Sequence, residues 1–476
     1  MSRLTIFILL AFVLPSALAQ NILVPPYIQP GNVSTLAKEE KVIIWQTDSI
    51  PGNFKVEFAL GSSLASVKKP STTKVSSVKL SLLNKTTFLY RATLPKLQFD
   101  QTYVYKVSLN NRTIAENTFE TRTKKAQTKF AVFGDCGIGS PEQAKIAYQV
   151  YQHKPQFALI TGDMVYSYGR EEEYRARFFP YYLTPAPTPN RGAPLMQSIP
   201  FYMMLGNHDI YSADFDKHPD GLAFFYYNDL PLNAPTTALT VKAEGTNTAL
   251  IKAFEKNTAP RYPKIANYSF DYGNVHIAVL DANYYINPLD PELVEWLKRD
   301  MKNSKADWKM VAYHQPAFNS SPTHYEYQIM RLLAPICEEL GVDMVLTGHV
   351  HNYQRTVPLK FDPAIDSTNN RYVVSEAGSV DGKFTLDTKF DGINNTLADG
   401  IIYIVSGAGG ATLYDNQISD NPELWKKGTP ENWAPYTTKL ISDVHSFTMI
   451  ETDGKKLILK QIDADGKTID TITVTK

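Results

Sequence analysis

The chain has 476 residues, of which 43% are hydrophobic, 12% aromatic and 20% charged. A sequence of this length and mixture has room for two or three domains with a large core, and it is neither disordered, collagen-like nor a coiled coil. Lys+Arg and Asp+Glu both number 48, so no overall basic face points to nucleic acid or to an anionic membrane. At the N-terminus Met1-Ser2-Arg3 leads into an apolar run from Leu4 to Leu14, then Pro15 and Ala17-Leu18-Ala19. A cationic start, a short apolar middle and a small-x-small site are the layout of a secretory signal. This predicts that residues 1–19 are removed and that the protein is secreted or periplasmic. The run is shorter than the ~20 apolar residues of a spanning helix, and no later stretch is longer, so no membrane anchor is expected. The two cysteines, Cys136 and Cys337, cannot form a disulfide framework, and no disulfide is expected.

Residues 20–122 read as short strands of period 2: Val42–Thr47, Phe54–Phe58, Phe88–Leu94 and Thr102–Val107. Gly, Pro, Asn and Asp fall between them at the spacing of a small β-sandwich, and Trp45 is placed as its core residue. The segment resembles a fibronectin-III-like module; it has no His and no acidic cluster, and a positioning role is expected. Thr121–Gln127 is a polar linker.

From residue 129 to 476 the pattern changes. Apolar runs of strand length occur at 130–133, 157–160, 201–205, 275–280, 310–313, 342–346 and 401–405, with helices between several of them. Ser140-Pro141-Glu142-Gln143 offers a helix N-cap and a first-turn proline. Asp290-Pro291 starts a second helix with Leu293, Trp296, Leu297 and Met301 on one face. A third is expected from Tyr325 to Leu340, kinked at Pro335 and stopped by Gly341. Such alternation predicts an α/β domain with a largely doubly covered sheet. Six prolines exclude regular structure over 180–200, and 212–266 reads as a loop-rich insertion walling a cleft. After residue 446 the chain returns to β, with Asp465-Gly466 as a hairpin turn.

Five of the apolar runs end in metal-ligand residue types: Gly134-Asp135-Cys136, Gly162-Asp163-Met164-Val165-Tyr166, Gly206-Asn207-His208-Asp209, Tyr313-His314 and Gly348-His349-Val350-His351. In α/β sheets the carboxyl ends of strands converge on one crevice, so ligands distant in sequence can meet there.

These five clusters, in this order, match the signature of the purple acid phosphatases within the calcineurin-like metallophosphoesterases. The N-terminal sandwich resembles that of the two-domain, plant-type members. The resemblance implies an αββα sandwich catalytic domain. It also implies a first metal held by Asp135, Asp163, Tyr166 and His351, and a second by the bridging Asp163 with Asn207, His314 and His349. Three hard anionic oxygens, one of them a tyrosinate, suit Fe(III) at the first site; the neutral donors of the second suit divalent Zn, Fe or Mn. The implied activity is a secreted acid phosphatase for small phosphate monoesters, with metal-bound hydroxide as nucleophile and a histidine as proton donor. His208 and His324 match the family's outer-sphere histidines. Asp209 stands where plant members often carry Glu, and Thr323 where many carry His. A phosphodiesterase or nucleotide pyrophosphatase on the same scaffold, and a non-catalytic surface-binding protein, are the competing readings. His153, His218, His276 and His445 match no motif and read as ordinary core or surface residues. Asn84, Asn111 and Asn267 begin Asn-x-Ser/Thr acceptor sequences.

Overall fold

A computed structural model describes residues 20–414 and 433–476; the expected signal segment, residues 1–19, lies outside them. Among the described residues no helix is long and apolar enough to cross a membrane.

Residues 22–120 form two four-stranded antiparallel sheets. One has the order Ile22–Gln29, Lys41–Thr47, Lys85–Leu94, Val75–Leu82, and the other Ser71–Thr73, Phe54–Leu60, Thr102–Leu109, Arg112–Glu120. Successive side chains of a strand face opposite ways. Ile43 and Trp45 accordingly point into the sandwich, where Trp45 stacks on Tyr90 at 5.4 Å. Val42 and Ile44 point outward and join the core of the following segment. Polar contacts fix the same joint: Tyr27 Oη donates to the Tyr227 carbonyl at 2.7 Å, and Gln46 Nε2 to Glu171 Oε1 at 2.7 Å. Arg122, fully buried, donates to the carbonyls of Thr35 and Lys38 and to that of Asp271 across the joint.

The remaining chain builds two larger sheets. The six-stranded one runs Phe201–Met203, Phe157–Ile160, Gln127–Phe133, Ser446–Asp453, Lys456–Asp463, Thr468–Thr475, with its first three strands parallel. The seven-stranded one runs Tyr268–Tyr272, Val275–Val279, Trp308–Ala312, Met344–Thr347, Ile402–Ser406, Tyr353–Thr356, Thr437–Ile441, parallel from its second to its fifth strand. They pack face to face, with Tyr202 of one stacked on Phe270 of the other. Alternation again decides the layers: Met310 and Ala312 fill this inter-sheet core, whereas Val311 joins a separate outer core with Trp296 and Leu297. Helix Pro141–His153, capped by Ser140 Oγ accepting from Gln143 N–H at 3.0 Å, lies against the six-stranded sheet. Helix Pro291–Asn303, capped by Asp290, and helix Ala334–Glu339 lie against the other. The result is the expected αββα sandwich preceded by a β-sandwich.

Three local expectations change. The helix expected over 325–340 is a 3-10 turn, Ile329–Leu333, followed by an α-helix only from Ala334 to Glu339. Pro335, lacking an N–H, starts that helix instead of kinking a longer one. The proline-rich stretch contains the short helix Phe179–Tyr182, with Pro180 in its first turn, and the 3-10 turn Leu195–Gln197. The 212–266 insertion carries helices Phe224–Tyr227 and Thr248–Thr258. Cys136 and Cys337 are buried and unbonded, as expected. Asn267 is buried with its Oδ1 accepting from Asp281 N–H, which makes it no surface acceptor for a glycan.

Candidate metal centre

The five clusters terminate parallel strands of the two sheets, and the sheets' face-to-face packing brings those ends to one crevice. Convergence requires unusual backbone. Asp135, Asp163, His324 and His349 all have positive φ, between 50° and 67°. Non-glycine residues avoid that region unless the surroundings impose it, and such strain concentrates at functional sites. Two glycines make room: a Cβ at Gly162 would strike the His314 ring, and one at Gly206 the Asp163 carboxylate.

The side chains fall into two groups. In one, Tyr166 Oη lies 3.3 Å from Asp135 Oδ1 and 3.0 Å from His351 Nε2, which is 3.5 Å from the same Asp135 oxygen. In the other, His314 Nε2 lies 3.4 Å from Asp163 Oδ2 and 3.1 Å from Asn207 Oδ1, with the His349 ring 5.0 Å from that of His314. Donor atoms of Asp163, His314 and His349 all lie within 4.8 Å of one another, close enough to share one ion. The two groups touch through Asp135 Oδ2, which accepts from His349 N–H at 2.9 Å.

The chemistry of this donor set fits a cation. Asp135 and Asp163 are at most 1% exposed, and among the described residues their ion-pair partners are histidines, never Lys or Arg. Two carboxylates buried together with no Lys or Arg beside them are costly unless further positive charge joins them, so the site favours a positive ion. The tautomers agree. His314 Nδ1 lies 2.6 Å from the Thr161 carbonyl and His351 Nδ1 2.6 Å from that of Thr412. A carbonyl only accepts, so each Nδ1 carries a proton and each Nε2 is the ring nitrogen turned toward the centre. Burial pushes Asp163 up, but His314, His208 and His349 outweigh it and hold the carboxyl below its usual range. Burial and the neighbouring Asp163 push Asp135 well up. His314 is raised to about 9: burial lowers it, and the two carboxylates more than reverse that.

Of the two outer histidines, His208 is half-buried between the Tyr166 ring at 4.4 Å and the Tyr211 ring at 5.0 Å. Its backbone N–H donates to Asp163 Oδ1, and its Nδ1 lies 2.8 Å from the Ser167 carbonyl, which leaves Nε2 facing the crevice 4.0 Å from Asp163 Oδ2. His324 is solvent-exposed, with its ring 4.0 Å from that of His349.

Sequence reasoning passed over several supports. Asp209, noted only as a departure from Glu, is fully buried, and its Oδ2 accepts from the N–H groups of Asp163 and Gly206. Tyr414 stacks on His351 at 4.0 Å; no motif marks it. A sixth strand end, Asp281-Ala282-Asn283, braces the others. Asp281 Oδ1 accepts from Asn283, and Asn283 in turn accepts from Gln315 Nε2 beside His314 and donates to the Gly206 carbonyl. It had the same signal as the other five, polar residues closing an apolar run. Of the histidines outside the motifs, His218 stacks on Tyr168, and His276 is not an ordinary core residue but a bridge between Asp271 and Asp300.

Residues 128–353 match the family of calcineurin-like phosphoesterases. The chain is 25% identical over 236 residues to an acid phosphatase of Aspergillus ficuum, spanning 38% of each protein. It is 26% identical over 305 residues to purple acid phosphatase 23 of Arabidopsis thaliana, spanning 58% of this chain and 59% of that one. The matches thus cover less than two thirds of these relatives. Among solved structures, a purple acid phosphatase from yellow lupin (Lupinus luteus) seeds superposes with a TM-score of 0.63 over 94% of this chain and 74% of that one, at 15% identity, which shows a shared fold.

Proposed function

We propose that this chain, a calcineurin-like metallophosphoesterase related at low identity to the plant purple acid phosphatases, is a secreted acid phosphatase that hydrolyses phosphate monoesters at a pair of metal ions. In this reading Asp135, Asp163, Tyr166 and His351 hold Fe(III), and Asp163, Asn207, His314 and His349 hold divalent Zn, Fe or Mn. The observation that supports it is the division of the buried donors into two touching groups, one rich in anionic oxygen and the other in imidazole. Bound together, such ions neutralise phosphate charge and acidify water.

The protein's own groups do the rest. Thr161 and Thr412 carbonyls fix the two imidazoles, and Asp209 fixes the loop that presents Asp163. His208, anchored at Nδ1, offers Nε2 to the departing oxygen. His324 faces solvent beside His349 and can meet the ester from the outer side. The segment 1–19 serves as the export signal, residues 20–122 form a positioning domain and 129–476 the catalytic one. The test is metal content and visible spectrum of purified protein, together with rates on monoesters and diesters. Two metals per chain and monoester preference support the proposal; diester preference would favour the phosphodiesterase reading, and a metal-free, inactive protein would overturn both.

A further inference from the structure

We infer that a cavity beside the metal centre receives the organic group of the ester, and that this group is a flat aromatic ring system; the inference rests on the phosphatase reading above. The cavity has a volume of about 290 Å³, at the small end of ligand pockets and suited to one or two fused rings. Its inner wall is the turn carrying Ile210 and Ala213, which continues from Asn207 and His208. The opposite wall is Tyr284-Tyr285, and Tyr285 Oη donates to Asp281 at 2.7 Å, in the web that braces Gly206 and Gln315. Both walls therefore grow from strand ends that frame the metal site.

The outer wall, Leu239 to Glu244, comes from the 212–266 insertion and is held in place. Glu244 N–H donates to the Ala213 carbonyl at 2.8 Å, and Ala243 N–H to Tyr262 Oη at 2.9 Å. A preformed wall lowers the ordering cost of binding.

The surface exposed here is the wrong kind for a merely solvated rim. Tyr284 is 74% exposed and Leu239 48%. On the turn that leads from His208 to the inner wall, Tyr211 is 52% exposed with its ring against His208. Aromatic faces and an aliphatic side chain around one mouth offer stacking and apolar contact. The charged residues of the lining, Lys242 and Glu244, are one of each sign. A polyanionic or polyol leaving group gains little there, whereas an aryl or nucleobase ring can cover the exposed faces.

The experiment compares 1-naphthyl phosphate with glycerol 2-phosphate in the metal-loaded wild type, Tyr284→Ala and Leu239→Ala. Both replaced side chains lie at the surface and neither belongs to a core cluster, so the fold should persist. Losing the stacking face of Tyr284 or the apolar contact of Leu239 should lower kcat/KM for the naphthyl ester ~10-fold more than for the glycerol ester, chiefly through KM. Equal effects on both esters in both variants would overturn the inference. If the wild type hydrolyses neither ester, the phosphatase reading fails, and equilibrium binding of naphthyl phosphate, followed by its fluorescence, decides the cavity alone. Weaker binding to Tyr284→Ala then supports the aromatic site, and unchanged binding overturns it.

Discussion

Tyr166 Oη stands 3.0 Å from His351 Nε2, and both side chains face Asp135. Burial and the two carboxylates push the Tyr166 phenol well up, so only a strongly charged cation would draw its proton away. In iron-loaded protein the proposal therefore predicts a broad visible band from tyrosinate-to-iron charge transfer. Tyr166→Phe should abolish the band while circular dichroism stays unchanged. A colourless wild type carrying Fe(III) would remove Tyr166 from the ligand set.

His349 and His351 are two residues apart yet belong to different groups: the first packs on His314, the second on Tyr166 and Tyr414. The positive φ of His349 turns the backbone between them. His349→Ala should deplete chiefly the divalent metal and His351→Ala chiefly iron, as read by elemental analysis of folded variants. Equal loss of both metals in both variants would count against two separate sites.

Proton delivery should separate the outer histidines. An alkyl phosphate leaves as a basic alkoxide and needs a proton, whereas nitrophenolate hardly does. General-acid help is worth ~10²–10⁴ in rate. His208→Ala, with its Nε2 otherwise free toward the crevice, should cost an alkyl phosphate ~100-fold in kcat/KM and nitrophenyl phosphate far less. The same pair of esters applied to His324→Ala tells a donor from a phosphate contact, because a residue that only binds phosphate costs both esters alike.

His276 gives a pH dependence independent of metals. Its ring is 4% exposed, with Nδ1 2.7 Å from Asp271 and Nε2 2.9 Å from Asp300. Burial lowers its pKa, but the two carboxylates reverse this and raise it to about 9. The folded state therefore binds this proton more tightly than the unfolded chain. The stabilisation is complete below pH ~6.5 and fades as pH rises through about 9, amounting to about 3 kcal/mol from the shift. In urea unfolding, the stability gap between wild type and His276→Gln should be widest near pH 6 and shrink by pH 9.5. A gap independent of pH over that range would mean the imidazole is neutral.

The sequence alone carried the candidate metal donors and the layer pattern because both are local. An Asp or His closing an apolar run is visible without knowing its partners, and alternation such as Met310-Val311-Ala312 reports two faces before either neighbour is known. Helix caps at Ser140 and Asp290 are equally local. What required the tertiary structure was everything set by convergence. Nothing in the spacing of Asp209 or Asn283 says that they lock neighbouring loops. Tyr414 meets His351, 63 residues earlier in the chain, only because strands Met344–Thr347 and Ile402–Ser406 pair side by side. The sequence does not mark His276, because its carboxylates come from a neighbouring strand and a helix, Asp271 and Asp300. The aromatic cavity likewise exists only where an insertion folds back over a strand end. Chain order states which groups are available; the packing of two sheets decides which of them share a few ångströms, and the chemistry depends on that distance.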